Sequence, residues 1–290
     1  FGKSGLGRWT RGWKSVRAFK KENYSSERLA QYLKSDEAFR DIAIGDQEQI
    51  NCGLVINTKR ADTYSLWSLA NHPDGAFYEA NKHLKLWELT KASSSAPYYF
   101  KPTALQIPDE NGQMMSTAFI DGGVSLANNP AWQLFLVATV PSFGFNCETG
   151  EDKMSIITIG TGSGLPKEKA EKMLKKRGIS WAADIPDLFM TDASELNQVA
   201  LCAFGKNIGE EQYIDSQFGN MEDVNYLSSK LFSFQRYNVQ FAKSVLNERL
   251  GFNFSDKELR SLTQMDHVEN MEDWAKIGQR YAKDLKIKVE

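Results

Sequence analysis

The sequence is poor in the residues that build metal sites and disulfide frameworks. Among 290 residues there are three cysteines and three histidines. Cys52, Cys147 and Cys202 are widely spaced and odd in number, which excludes a disulfide scaffold and a cysteine-based metal motif and favours a reducing compartment. His72, His83 and His267 stand in no recognisable triad context. There is no Asp-x-Asp-x-Asp-Gly loop for calcium, so neither a metal nor any other cofactor is expected. No apolar run reaches the ~18 residues that a membrane-spanning helix needs. Charge is nearly balanced, 35 Lys and Arg against 37 Asp and Glu, which removes any global attraction to nucleic acid. There are no internal repeats and no linker rich in Pro, Gly or Ser. With 41% hydrophobic residues the chain can bury one large core.

Hydrophobic periodicity alternates between the two regular periods. Helices are predicted at 25–34, 84–93, 130–139, 167–176 and 193–204, and strands at 52–58, 116–120 and 154–159. That alternation predicts a layered α/β domain with a largely parallel sheet. The last third reads as helical. Ser255-Asp256-Lys257-Glu258 is a capping box, and Trp274, Ile277, Tyr281 and Leu285 recur every three or four residues, giving one apolar stripe for the core.

The most informative stretch is Phe119-Ile120-Asp121-Gly122-Gly123-Val124-Ser125-Leu126-Ala127-Asn128, running on into Asn129-Pro130. A short apolar run ends a strand and delivers one carboxylate to a turn made of two glycines. Without a Cβ, Gly122 and Gly123 are free to take φ > 0 and let another group approach Asp121. Asn129 is placed as a helix N-cap and Pro130 as the first helical residue. A carboxylate held at a strand end suits the general base of a serine hydrolase. The alternative is that Asp121 only ties down the turn.

Three further segments share the chain with it: Leu86 to Pro102, containing Ala92-Ser93-Ser94-Ser95-Ala96-Pro97; Ser155 to Gly164, ending Gly160-Thr161-Gly162-Ser163-Gly164; and Leu231 to Val239. Their order resembles the patatin-like phospholipase family, lipid acyl hydrolases with a Ser-Asp dyad, from about Tyr24 to the C-terminus. The resemblance implies a three-layer α/β/α fold over residues 1–290 as a single domain, with a helical C-terminal subdomain at 205–290. It makes Asp121 the dyad aspartate and a membrane glycerolipid the substrate of a phospholipase A-type reaction. The family's nucleophile sits in a Gly-x-Ser-x-Gly elbow, and no such pentapeptide occurs here. Gly2-Lys3-Ser4-Gly5-Leu6 fails at its last position. The chain begins with Phe1, and the serine and its oxyanion loop are expected upstream of it. Ser93, Ser94 and Ser95 are expected to be small residues that permit close packing.

Residues 1–21 carry Lys3, Arg8, Arg11, Lys14, Arg17, Lys20 and Lys21 and no acidic residue, with Trp9, Trp13, Val16 and Phe19 near one helical face. Such a segment suits either a lipid interface or a surface helix over the core. The expected location is cytoplasmic with peripheral membrane contact. Two other readings share much of this evidence. One is a catalytically inactive patatin-like scaffold or lipid-binding protein. The other is a nucleotide-binding module, suggested by the Gly160–Gly164 turn after an apolar strand, although Leu165 stands where the dinucleotide fingerprint needs glycine.

Overall fold

The computed structural model describes residues 24–164, 170–182, 184–264 and 267–285. They form two compact units. One runs to Cys147 and takes in Asp187–Asn197; the other holds Glu148–Pro186 and the residues from Gln198 onward. The basic aromatic stretch 1–21 lies outside the described residues, as do positions 165–169.

The first unit opens with helix α1 (Ser26–Leu33), capped by the Ser25 hydroxyl, which accepts from Arg28 N at 3.2 Å. Its sheet holds β1 (Val55–Arg60), β2 (Leu66–Ala70), β3 (Thr103–Pro108) and β4 (Met114–Asp121) in the order β2-β1-β4-β3. Every neighbouring pair is antiparallel, which corrects the expected largely parallel sheet. The reason is local. Residues 61–65 join β1 to β2 and residues 109–113 join β3 to β4, whereas a parallel crossover needs a dozen residues or more. The second turn carries its own chemistry: Asp109 Oδ1 accepts from Asn111 N at 2.9 Å and from Gln113 N at 2.8 Å, and Gly112 adopts φ 78°.

Side chains alternate along β3, with Thr103, Leu105 and Ile107 turned into the core. Helix α2 (Leu86–Ser93) packs onto β1, β3 and β4 through Leu86, Leu89 and Ala92, which repeat every three residues. Glu88 accepts from Lys85 N at 3.1 Å and closes its first turn. With Ile44, Leu69, Leu84 and Phe119 these side chains form one buried cluster. Helix α3 spans Ala131–Thr139, so Pro130 takes the cap position expected of Asn129. Asn129 Oδ1 still faces Ala131 N, at 3.5 Å.

The second unit contains the parallel pairing. Strands β5 (Ser155–Ile159), β6 (Gly205–Asn207) and β7 (Phe232–Tyr237) run in the order β5-β7-β6. Long connections, residues 160–204 and 208–231, allow it. Between them lie the short helices α4 (Ala170–Met173) and α5 (Ile179–Ala182) and the helix α6 (Ile185–Phe204). The helix expected at 167–176 is described only as α4, and the one expected at 193–204 begins earlier, at Ile185.

Every residue of the central strand β7 is buried. The stretch 205–290, expected to be helical, carries β6 and β7 ahead of its helices. Helix α7 (Asp256–Leu262) has the capping box read from the sequence, with Ser255 N donating to Glu258 Oε2 at 2.7 Å and Glu258 N to Ser255 Oγ at 3.3 Å. Helix α8 (Met271–Asp284) buries Ile277 and Tyr281 against Leu246, Leu250, Leu259 and Leu262, with Trp274 and Leu285 at the margin of that cluster. Among the described residues no helix is long and apolar enough to cross a membrane.

Candidate active site

Asp121 is the last residue of β4 and lies opposite Thr58 of β1. Three contacts fix its backbone. Asp121 N donates to Ser95 O at 3.1 Å, Thr58 Oγ1 donates to Ile120 O at 2.8 Å, and the next residue, Gly122, is buried against β1. The Ala-Ser-Ser-Ser-Ala-Pro segment and the Asp-Gly-Gly turn, about 25 residues apart in sequence, are thus joined by a main-chain hydrogen bond.

The two glycines are required for a different reason from the one expected. Neither takes a positive φ. A Cβ on Gly122 would lie 2.7 Å from Asn57 O, and one on Gly123 would lie 3.0 Å from Asp121 Oδ1. Their bareness therefore lets the turn lie flat on β1 and lets Gly123 N reach the carboxylate. That hydrogen bond, Gly123 N to Asp121 Oδ1, is 2.7 Å long and opens a short 3-10 turn over Gly122–Val124. Ser125 Oγ donates to Gly122 O at 2.8 Å and completes the turn.

The half-buried carboxyl of Asp121 is held above the usual carboxylate range. Burial is the main cause, and the Gly123 N–H opposes it in part. Among the described residues Gly123 N donates to Oδ1 of this carboxylate. Asp121 therefore braces its turn through one oxygen, which is the second of the two roles that the sequence left as alternatives.

The serines beside it are committed elsewhere. Ser93 Oγ donates to Asn57 O at 2.7 Å, Ser94 Oγ to Thr90 O at 2.8 Å and Ser95 Oγ to Lys91 O at 2.7 Å. Ser95 also meets Thr103 Oγ1 at 2.9 Å in the core. A hydroxyl that gives its proton to a carbonyl has no general base, so none of the three is arranged as a nucleophile. Asn57 and Thr58 belong to the surroundings of Asp121 but carry no motif. They reach it only through strand pairing across more than sixty residues.

The Gly160–Gly164 turn is filled by the chain itself. Gly160 N donates to Tyr237 O at 2.8 Å, Gly162 N to Asn238 Oδ1 at 2.9 Å and Ser163 N to Val239 O at 2.9 Å. Gly162 adopts φ 94° beneath the Phe241 ring. Three of the N–H groups that would face a phosphate are engaged within the chain, which argues against the nucleotide-binding reading. Ser163 Oγ accepts from Asn238 Nδ2 at 2.9 Å and serves that packing. Of the histidines, His72 lies edge-on to Phe145, His83 Nε2 meets Gln106 O at 3.1 Å and His267 Nδ1 meets Ser261 Oγ at 3.0 Å. In that last pair the same nitrogen faces Glu269, 3.5 Å away, so Ser261 and Glu269 do not engage opposite sides of the imidazole as a triad requires. Among the described residues no cluster of three or more His, Cys, Asp or Glu side chains is placed to hold a metal ion.

Comparison with known proteins finds similarity over part of the chain. No family model matches the sequence. The chain is similar to patatin-like protein 1 of Arabidopsis thaliana, 33% identical over 109 residues, which is 35% of this chain and 26% of that protein. It is also similar to patatin-like protein 2 of Oryza sativa subsp. indica and subsp. japonica, 26% identical over 162 residues, 50% of this chain and 39% of those proteins. The chain thus spans between a quarter and two fifths of the length of the curated relatives it matches. The likeness supports the patatin-like family for the matched part, carried on a mixed α/β chain.

Proposed function

We propose that the complete protein is a lipid acyl hydrolase of the phospholipase A type, working through a Ser-Asp dyad in which Asp121 is the general base. The observation that carries this reading is the Asp121 carboxyl itself: half-buried, raised in pKa by that burial, and held at the end of its strand by Gly123 N through one oxygen. The similarity to patatin-like proteins supports the same class. The nucleophile is a serine carried by sequence outside these residues, since no Gly-x-Ser-x-Gly occurs among them.

In this scheme the serine oxygen attacks the acyl carbonyl while its proton passes to the carboxylate of Asp121. The carboxylic acid then returns the proton to the departing lysolipid alkoxide. Water, deprotonated in turn by Asp121, cleaves the acyl-enzyme and releases the fatty acid. A raised pKa brings the base nearer to working pH without the imidazole of a Ser-His-Asp relay. The substrate is a membrane glycerolipid, and the basic stretch 1–21 contributes peripheral membrane contact. Three free thiols suit a cytoplasmic setting.

The test is Asp121→Asn in the complete protein, assayed on a soluble short-chain ester. Activity is expected to fall by about two to four orders of magnitude, the range for losing a general base. Turnover that survives per folded molecule removes Asp121 from the mechanism. An inactive scaffold is the second reading, since it would share every residue seen here. Sequence from the complete protein that lacks Gly-x-Ser-x-Gly would decide for it.

A further inference from the structure

The second unit carries a surface feature that the chemistry at Asp121 does not use. Between α4 and α5 the chain makes a tight turn, with Leu174 N donating to Ala170 O at 2.8 Å and Lys176 N to Met173 O at 3.0 Å. Gly178 closes it at φ 54°, with open space where a Cβ would stand. These hydrogen bonds hold Leu174 outward, and its side chain is 84% exposed. Trp181 and Ile185 follow, 36% and 45% exposed. The same short segment carries Lys172, Lys175, Lys176 and Arg177. Two carboxylates lie among them, Glu171 on α4 and Asp184, which pairs with Lys176. Lys176 also lies over the Trp181 ring at 5.5 Å, and Trp181 Nε1 donates to Lys176 O at 3.1 Å. The tryptophan therefore has its polar edge satisfied while its ring remains partly in solvent.

We propose that Leu174, Trp181 and Ile185 with Lys175 and Arg177 form a docking surface for an anionic phospholipid bilayer, with Leu174 entering the acyl boundary and Lys175 and Arg177 at the headgroups. A core element would not hold a leucine in water beside three consecutive cations. A soluble polyanion would be met by the cations but would gain nothing from Leu174 and Trp181. An exposed leucine, a partly exposed tryptophan and several cations within one short segment together match the layered chemistry of a lipid interface. The choice of a bilayer rests in part on the lipid-hydrolase reading, but the two fail by different measurements, since Asp121→Asn is assayed on a soluble ester.

The test uses the 290-residue chain with Cys52→Ser, Cys147→Ser and Leu174→Cys, leaving Cys202, which is buried. A polarity-sensitive thiol dye at position 174 reports its surroundings while flotation reports vesicle binding. With phosphatidylserine in phosphatidylcholine vesicles the dye emission should shift to the blue, and with phosphatidylcholine alone it should not. Each cation near an anionic surface tightens binding by about fivefold, so Lys175→Ser with Arg177→Ser should weaken it roughly 25-fold. Flotation without a dye shift would place the contact elsewhere, such as residues 1–21, and would overturn the proposal. So would no flotation at all, equal binding to uncharged vesicles, or a dye shift that grows with protein concentration in the absence of lipid, which would mark the surface as a contact between two copies.

Discussion

At the scale of single residues, Asp121 carries two opposing electrostatic effects, and the larger one sets its pH behaviour. Burial disfavours its charged form and the Gly123 N–H favours it, with burial ahead. A carboxyl whose folded pKa lies above its unfolded value binds its proton more tightly in the folded state. Its contribution to stability is full below the unfolded pKa and is lost as pH rises through the folded one. Asp121→Asn removes that loss and keeps an oxygen for Gly123 N. The melting temperature of the variant relative to the parent should therefore rise as pH goes from strongly acidic to neutral. A difference that falls over that interval would show the carboxylate to be stabilised by its surroundings. In the complete enzyme the same raised pKa should place the acidic limb of kcat/KM above about 3.9, the value of a free aspartate. A limb at or below that value would exclude this base.

At the scale of elements, helix positions were the most legible part, because caps and periodicity are local, whereas the conformation of the Gly122-Gly123 turn was not. The Ser255–Glu258 capping box and the Trp274, Ile277, Tyr281 and Leu285 stripe occur as read, since caps and 3.6-residue periodicity need no partner to be recognised. Strand direction was not legible. A short apolar run shows that a strand is buried but not which strand pairs with it, and the β1–β4 pairing joins residues more than sixty apart. The same limit applies to the candidate site. The Asp121-Gly122-Gly123 turn is visible as a local motif, whereas Asn57, whose carbonyl forbids a Cβ on Gly122, is not. Two substitutions test these elements. Gly122→Ala would push β1 and the turn apart and should cost about 1–3 kcal/mol, as overpacking does. It should also lower activity of the complete enzyme by displacing Asp121. Unchanged stability and turnover would mean that the turn has more room than 2.7 Å allows. Ile277→Ala, at a position 1% exposed, should cost about 2–5 kcal/mol in denaturant unfolding. A loss below about 1 kcal/mol would remove that side chain from the core of the second unit.

At the scale of the whole molecule, the described serines near Asp121 and in the glycine-rich turn are engaged in structural hydrogen bonds. Ser93 and Ser95 give their protons to carbonyls, as does Ser125 in the turn after Asp121. Ser163 is tied to Asn238 on β7's exit. Hydroxyls held in this way are no more reactive than an ordinary serine, because activation requires a base that accepts the proton during attack. A chain consisting of Phe1–Glu290 should therefore take up no fluorophosphonate serine probe and show no turnover of short acyl esters, even when circular dichroism shows its helices and strands to be formed. The complete protein should be labelled, and Asp121→Asn should slow that labelling because the probe also needs an activated hydroxyl. Stoichiometric labelling of the 290-residue chain would overturn this account. The modified residue, read by peptide mass spectrometry, would then identify a nucleophile within these residues, and Asp121 would have to be reconsidered as its partner.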